Sequence, residues 1–101
     1  MKLELESGTV IDSATEADIR SHVPGQAFAI LSETADSYVQ CAKQEYDAGD
    51  SALESQDGSL AQHFSATADS ITVERVIAAF IAYLHREPSW RNEFNWERVE
   101  V

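Results

Sequence analysis

The alternation of apolar and polar residues predicts an antiparallel β-sheet in the first two thirds of the chain. Leu3 and Leu5 alternate with charged residues in segment 2–7, which is typical of a strand with one buried face. Residues 27–33 and 38–44 are two further strand-like runs. The turn residues between these two runs favour a hairpin.

A second hairpin is predicted from the segment that follows. Asp57-Gly58 is a strong signal for a hairpin turn, and the strand-like runs 51–56 and 60–68 flank it. Together the two hairpins predict a four-stranded meander. Its third strand, 51–56, has few β-branched residues and is therefore expected to be the weakest. The edge of that strand is a candidate contact for a homodimer.

A short helix is predicted between the first strand and the first hairpin. Ser13 and Glu16 have the Ser-x-x-Glu spacing of a capping box, in which each side chain bonds the other residue's backbone N–H. The helix is then expected to run from about Ala14 to Val23 and to end before Pro24.

The most regular apolar pattern in the chain predicts a longer amphipathic helix. Thr72 is a suitable N-cap, and Ile71 precedes it as part of a hydrophobic staple. Pro88 disfavours helical backbone in the residue before it, so the helix is expected to end near Arg86 to Glu87. Its apolar stripe, which recurs at helical spacing, consists of Val73, Val76, Ile77, Phe80, Ile81 and Leu84.

The C-terminal segment 87–101 contains both tryptophans of the chain. Trp90 and Phe94 are four residues apart, which fits one helical turn, and an extended pattern around Trp96 predicts a last strand. We interpret this segment as closure of the core, with a ligand or partner site as the alternative. The predicted architecture is a single α+β domain over residues 1–101: an antiparallel β-sheet meander of about four to six strands, with a short N-terminal helix and a longer amphipathic C-terminal helix packed on it.

The chain is strongly acidic, and its charge is unevenly distributed. Its 101 residues include 18 Asp and Glu against 7 Lys and Arg, a net charge of −11. Residues 1–71 carry 13 acidic and 3 basic residues (−10), whereas residues 72–101 carry 5 and 4 (−1). Such a field disfavours nucleic acids and anionic membranes and favours a basic protein partner. The simpler interpretation, that the acidic charge serves solubility, stays open.

Catalytic and metal-binding motifs with specific spacing are absent from the sequence. The single cysteine, Cys41, can form no internal disulfide, which suits a reducing compartment, and the N-terminus lacks a signal-peptide pattern. A cytoplasmic location is therefore expected. His22, His63 and His85 show no metal-ligand spacing, so we expect no metal, no cofactor and no catalytic residues.

The C-terminal third resembles the first-described immunity-protein family of bacterial polymorphic toxin systems. The similarity rests on the segment ITVERVIAAFIAYLHREPSW followed by FNWERVEV. A glycine that usually precedes the proline in that family is replaced here by Arg86-Glu87. The resemblance implies a small α+β protein that binds and neutralises a cognate toxin, often a basic enzyme that acts on nucleic acid. The matching positions are Ala78, Phe80, Leu84, Pro88 and Trp96.

A non-enzymatic acidic binding protein is the function that the sequence favours, and an immunity-type inhibitor is its most concrete form. The alternatives are a small accessory or interaction domain, or an enzyme of unrecognised type. We expect a protein partner, no nucleic acid and no membrane, with the chain as a monomer or a homodimer. The acidic surface predicted for partner binding consists of Glu33, Asp36, Glu45, Asp47, Asp50, Glu54 and Asp57.

Overall fold

A single antiparallel sheet organises the protein, whose computed structural model describes residues 1–43, 51–67 and 71–99. Over these residues the sheet has seven strands in the order β2-β1-β3-β4-β5-β6-β7. The predicted α+β class is thereby confirmed. The strand count exceeds the expected four to six because a two-residue strand, β2, returns beside β1. The strands are β1 (Lys2–Leu5), β2 (Val10–Ile11), β3 (Phe28–Thr34), β4 (Ser37–Lys43), β5 (Ser51–Asp57), β6 (His63–Ala66) and β7 (Trp96–Arg98).

Helices pack on one face of this sheet and enclose the core with it. They are α1 (Glu16–His22), α2 (Val73–Leu84) and α3 (Ser89–Asn92), and short 3-10 turns cover Val23–Gly25 and Leu60–Gln62. Phe80 of α2 and Ile19 of α1 are fully buried among the leucines and valines of the sheet. The helix-covered face of the sheet carries Leu3, Leu31, Val39, Leu53, Ser55, Asp57, Phe64 and Trp96, and the opposite face carries Ile30, Tyr38, Gln40, Glu54, Gln56 and His63.

The third strand of the meander, β5, is central rather than weak. It pairs with β4 along all seven of its residues and with β6 on its other side. β5 is an internal strand that β6 covers over Glu54–Gln56, so the predicted homodimer contact has no free edge along those residues. Paired neighbours on both sides compensate for its low content of β-branched residues, since β-propensity depends strongly on context.

The N-terminal helix is capped two residues later than predicted. Thr15, not Ser13, is the N-cap: its hydroxyl accepts from the Asp18 backbone N–H, and the Asp18 carboxylate accepts from the Thr15 backbone N–H at 2.9 Å. Thr-x-x-Asp is a capping box of the same geometry, so the local rule holds in a shifted register. Hydrogen bonding to Thr15 lowers the pKa of the Asp18 carboxyl.

The long helix α2 begins as predicted and ends earlier. The Thr72 hydroxyl accepts from the Arg75 backbone N–H, which confirms the N-cap. The last helical residue is Leu84 instead of Arg86 or Glu87, because Arg86 has a left-handed φ of 59° that stops the helix before Pro88 can. Backbone bonds from Arg86 N–H to Tyr83 C=O and from Glu87 N–H to Ala82 C=O form a Schellman motif.

The aromatic C-terminal segment closes one end of the core. Trp90 and Phe94 are 6% and 8% exposed, whereas Trp96 is half-buried. The Trp96 indole N–H donates to the Arg91 carbonyl at 3.0 Å and so ties β7 to α3. The predicted last strand is confirmed over Trp96–Arg98.

Candidate functional site

Three of the predicted acidic residues gather at one end of the sheet. Glu33 lies near the end of β3, Asp36 lies in the turn that follows, and Asp57 ends β5. The Gly58 backbone N–H donates to the Asp36 carbonyl at 3.0 Å, which holds the two turns together. At this end of the sheet the last two residue pairs between β4 and β5 are Ser37 with Asp57 and Tyr38 with Gln56.

The remaining predicted acidic residues do not join this group. Glu54 is on the opposite face, because it lies three residues before Asp57 in the same strand and side chains alternate. There its carboxylate contacts the Gln40 amide at 3.0 Å and the His63 ring at 3.1 Å. Glu45, Asp47 and Asp50 lie outside the described residues.

A pocket of about 340 Å³ lies beside this group, between the helix-covered face and the C-terminal end of α2 with α3. Its volume is at the lower end of the range for ligand sites, and it suits one side chain or a small molecule. The residues that line the pocket include two carboxylates and four aromatic rings. They belong to Glu33, Asp57, Phe64, Tyr83, Trp90 and Trp96.

Three of the aromatic rings of the pocket pack edge-to-face against one another. The Tyr83 and Trp90 ring centroids are 5.6 Å apart at 74°, and those of Trp90 and Trp96 are 5.5 Å apart at 90°. Phe94 packs on the far side of Trp96 at 5.8 Å and 75°. Such edge-to-face pairs are favoured by the ring quadrupoles. The pocket walls are therefore preorganised by the core.

Each carboxylate of the pocket has an arginine beside it. Arg86 contacts the Glu33 carboxylate, and Arg91 Nη2 lies 3.5 Å from Asp57 Oδ2. These side chains are well exposed, Arg91 at 56% and Asp57 at 67%, so each pair adds little to stability and exchanges readily with solvent.

The Tyr83 hydroxyl belongs to a half-buried residue of the pocket wall. The pKa of the Tyr83 hydroxyl is raised by burial, and next by the charges of Glu33 and Asp57. A hydrogen bond with the Glu33 backbone and the charge of Arg86 act in the other direction without reversing the shift. Burial is thus the main influence on this hydroxyl, and the two pocket carboxylates act in the same direction.

A second polar cluster lies on the opposite face and is internally satisfied. Gln56 is buried, and its amide N–H₂ donates to the Asp36 carbonyl at 3.1 Å while its carbonyl oxygen accepts from the Tyr38 hydroxyl at 3.2 Å. His63 Nδ1 lies 3.0 Å from the same oxygen. These bonds cross three neighbouring strands, so the cluster stabilises the sheet. Burial raises the pKa of Tyr38, followed by the charges of Glu54 and Asp36.

Cys41 is separated from the histidine of this cluster. It lies on the helix-covered face, whereas His63 lies on the opposite face, so the two cannot act as a nucleophile and base. Burial raises the pKa of the Cys41 thiol to about 11, which keeps it protonated at neutral pH. Among residues 1–43, 51–67 and 71–99, no group of three or more His, Cys, Asp or Glu side chains is placed to hold a metal ion.

The pocket contains residues that sequence reasoning missed. Phe64 and Tyr83 carried no signal of a site, because one lies in a strand and the other lies beside the apolar stripe of α2. Trp96 belonged to the segment for which both core and ligand roles were open. Trp90 and Phe94 are buried core residues, which agrees with closure of the core, and Trp90 and Trp96 also line the pocket. A ligand or partner role of the segment stays a prediction.

Comparisons with known proteins add no relative: no protein-family model, no curated protein and no solved structure matches the chain. In the part of the chain that the structure describes, no helix is long and apolar enough to cross a membrane. The function is therefore argued from the geometry of the pocket and its acidic rim.

Proposed function

We propose that this chain is a non-enzymatic binding protein that holds a basic protein partner, as an immunity-type inhibitor holds its toxin in the cytoplasm. One observation carries the proposal: Glu33 and Asp57 lie at the wall of a preorganised aromatic pocket. Buried aromatic anchors with a charged, solvent-accessible rim are the usual composition of an energetic centre in a protein interface.

The charge of the whole chain supports the same kind of partner. A net charge of −11 on 101 residues attracts a basic surface over several ångströms and raises the rate of encounter. It also repels the phosphates of nucleic acids. A toxin that acts on nucleic acid has a basic surface of its own, and an acidic inhibitor can occupy it in place of the substrate. The inhibitor form of the proposal is taken from the resemblance of the C-terminal third to immunity proteins.

Co-expression tests the proposal directly. The first step is to look for a toxin gene directly beside this one; cells that express that toxin are then expected to survive when this chain is co-expressed. The double variant Glu33→Gln/Asp57→Asn should protect at least about tenfold less well, because it removes both carboxylates of the pocket. A matched control, Asp12→Asn/Glu97→Gln, removes two charges from exposed positions away from the pocket and should protect like the parent protein.

Salt dependence of binding separates the electrostatic model from its alternatives. Association with the purified partner should slow steeply between about 10 and 150 mM salt, since the screening length falls from about 30 to 8 Å. Failure of the soluble, folded protein to protect cells would contradict the inhibitor function and leave an accessory-domain role. Equal loss of protection in the two double variants would show that net charge, and not the pocket, makes the contact.

A further inference from the structure

Guanidinium groups already lie on the aromatic rings at this end of the molecule. The Arg91 guanidinium is 5.0 Å from the Trp90 ring centroid, and the Arg75 guanidinium is 4.5 Å from the Phe94 ring centroid. Both distances are within the range of a cation–π contact. Two arginines of the chain thus already lie over rings of this aromatic cluster.

Arg91 combines this aromatic contact with a carboxylate. The same guanidinium that lies over Trp90 also approaches Asp57 Oδ2 at 3.5 Å. An aromatic face together with a carboxylate at the open side is the environment that a guanidinium prefers, because its flat faces stack and its edge donates hydrogen bonds. Arg91 is more than half exposed, so a competing guanidinium can displace it into solvent.

We propose that the pocket is a recognition site for one arginine side chain of the partner protein, which replaces Arg91 against the aromatic rings and Asp57. This inference rests on the proposed function, because it names the group by which the partner is held. Glu33, another residue of the pocket lining, provides a second carboxylate, for which the incoming guanidinium competes with the exposed Arg86. Arg91 thus covers the site in the free protein and leaves it when the partner binds.

Arginine fits this pocket better than lysine or an anion. A lysine ammonium is a compact, strongly hydrated charge that gains less from flat aromatic walls than a guanidinium does. An anion would lie beside the Glu33 and Asp57 carboxylates, and the exposed arginines paired with them offset that repulsion only weakly. The pocket volume of about 340 Å³ also suits a single side chain.

Titration with amino-acid analogues tests this inference on the intact chain. The probes are N-acetyl-arginine amide and N-acetyl-citrulline amide, which has nearly the same shape without the charge, with the lysine and glutamate analogues beside them. The two indole N–H signals in an NMR spectrum report binding, because both tryptophans of the chain line the pocket. The arginine probe should shift both signals saturably, with a dissociation constant on the order of 1–10 mM, and the citrulline probe should bind at least about fivefold more weakly.

Two single substitutions give opposite expectations. Asp57→Asn should weaken the arginine probe by about five- to tenfold, because it removes the carboxylate partner. Arg91→Gln should strengthen it by about threefold, because it removes the internal competitor. Both sites are well exposed, so neither change is expected to unfold the protein, and the dispersion of the amide spectrum checks this. The control variant Glu97→Gln should leave binding unchanged.

Three results would overturn the inference. They are equal binding of the arginine and citrulline probes, weaker arginine binding by Arg91→Gln, and no saturable shift of the indole signals. The proposed function is judged separately by protection of cells from the toxin. Loss of protection in Glu33→Gln/Asp57→Asn without arginine binding would keep the function and reject the arginine site. Arginine binding without any protection would reject the function alone.

Discussion

At the scale of single residues, Cys41 illustrates how burial determines reactivity. Its thiol is packed on the helix-covered face, and burial raises its pKa from 9.0 to about 11. The chain contains no other cysteine, so a thiol reagent reports on this position alone. The reactivity of this thiol can therefore be used to measure how accessible the core is.

We expect the Cys41 thiol to react at least about 100-fold more slowly at pH 8 in the folded protein than in urea. A rise in pKa from 9.0 to about 11 lowers the thiolate fraction by about that factor, and restricted access lowers the rate further. Because the folded pKa is above the unfolded pKa, the associated stability is complete below pH 9 and is lost as the pH rises towards 11. Equal rates in both states would show that the thiol is accessible.

At the scale of elements, the end of α2 depends on backbone conformation more than on proline. Arg86 occupies the C′ position of the Schellman motif, with a left-handed φ of 59° that favours glycine. The Arg86 side chain forms an ion pair with Glu33 on β3. The residue therefore combines an unfavourable backbone conformation with a contact between the end of α2 and the sheet.

Arg86→Gly is expected to raise the free energy of unfolding by about 0.5–1 kcal/mol, because relief of the left-handed conformation exceeds the value of an exposed ion pair. Urea denaturation measures the difference. Arg86→Ala is the matched control: it loses the same ion pair, keeps the unfavourable φ, and should be no more stable than the parent protein. A glycine variant less stable than the alanine variant would contradict this account.

At the scale of the whole molecule, repulsion among acidic residues opposes compactness. The net charge of −11 is only locally compensated, and pairs such as Arg20–Glu16 and Lys2–Glu4 are exposed. Exposed pairs contribute little, so the repulsion of the excess negative charge is expected to outweigh them. The excess negative charge is therefore expected to lower the stability of the protein.

Raising the salt concentration from about 10 to 150 mM NaCl should increase the free energy of unfolding on the order of 1 kcal/mol, because screening weakens this repulsion. Urea denaturation is suitable because urea carries no charge. The variant Asp12→Asn/Glu97→Gln, with two fewer negative charges, should show a smaller increase. A decrease in stability with salt would mean that ion pairs dominate instead.

Local patterns in the sequence were sufficient for most of the elements. Alternating leucines, turn residues and the Thr72 cap predicted the strands of the meander and the start of α2 without reference to distant residues. Errors arose where two local signals competed, as with Ser13 and Thr15 at the first cap. Local patterns also did not show the position of a strand in the sheet. β5 has a low β-propensity, yet it lies between β4 and β6 and pairs with both.

The sequence by itself determined the α+β class, the acidic charge and the presence of aromatic residues near the C-terminus. Only the tertiary structure decided which side chains meet. Phe64 from β6, Tyr83 from α2 and Trp96 from β7 form one pocket because helix packing and strand order bring distant segments together. Glu33 and Asp57 join them, while Glu54 lies across the sheet. The periodicity of the sequence indicates which face of each helix or strand is apolar. Which other element packs on that face depends on contacts between segments far apart in sequence.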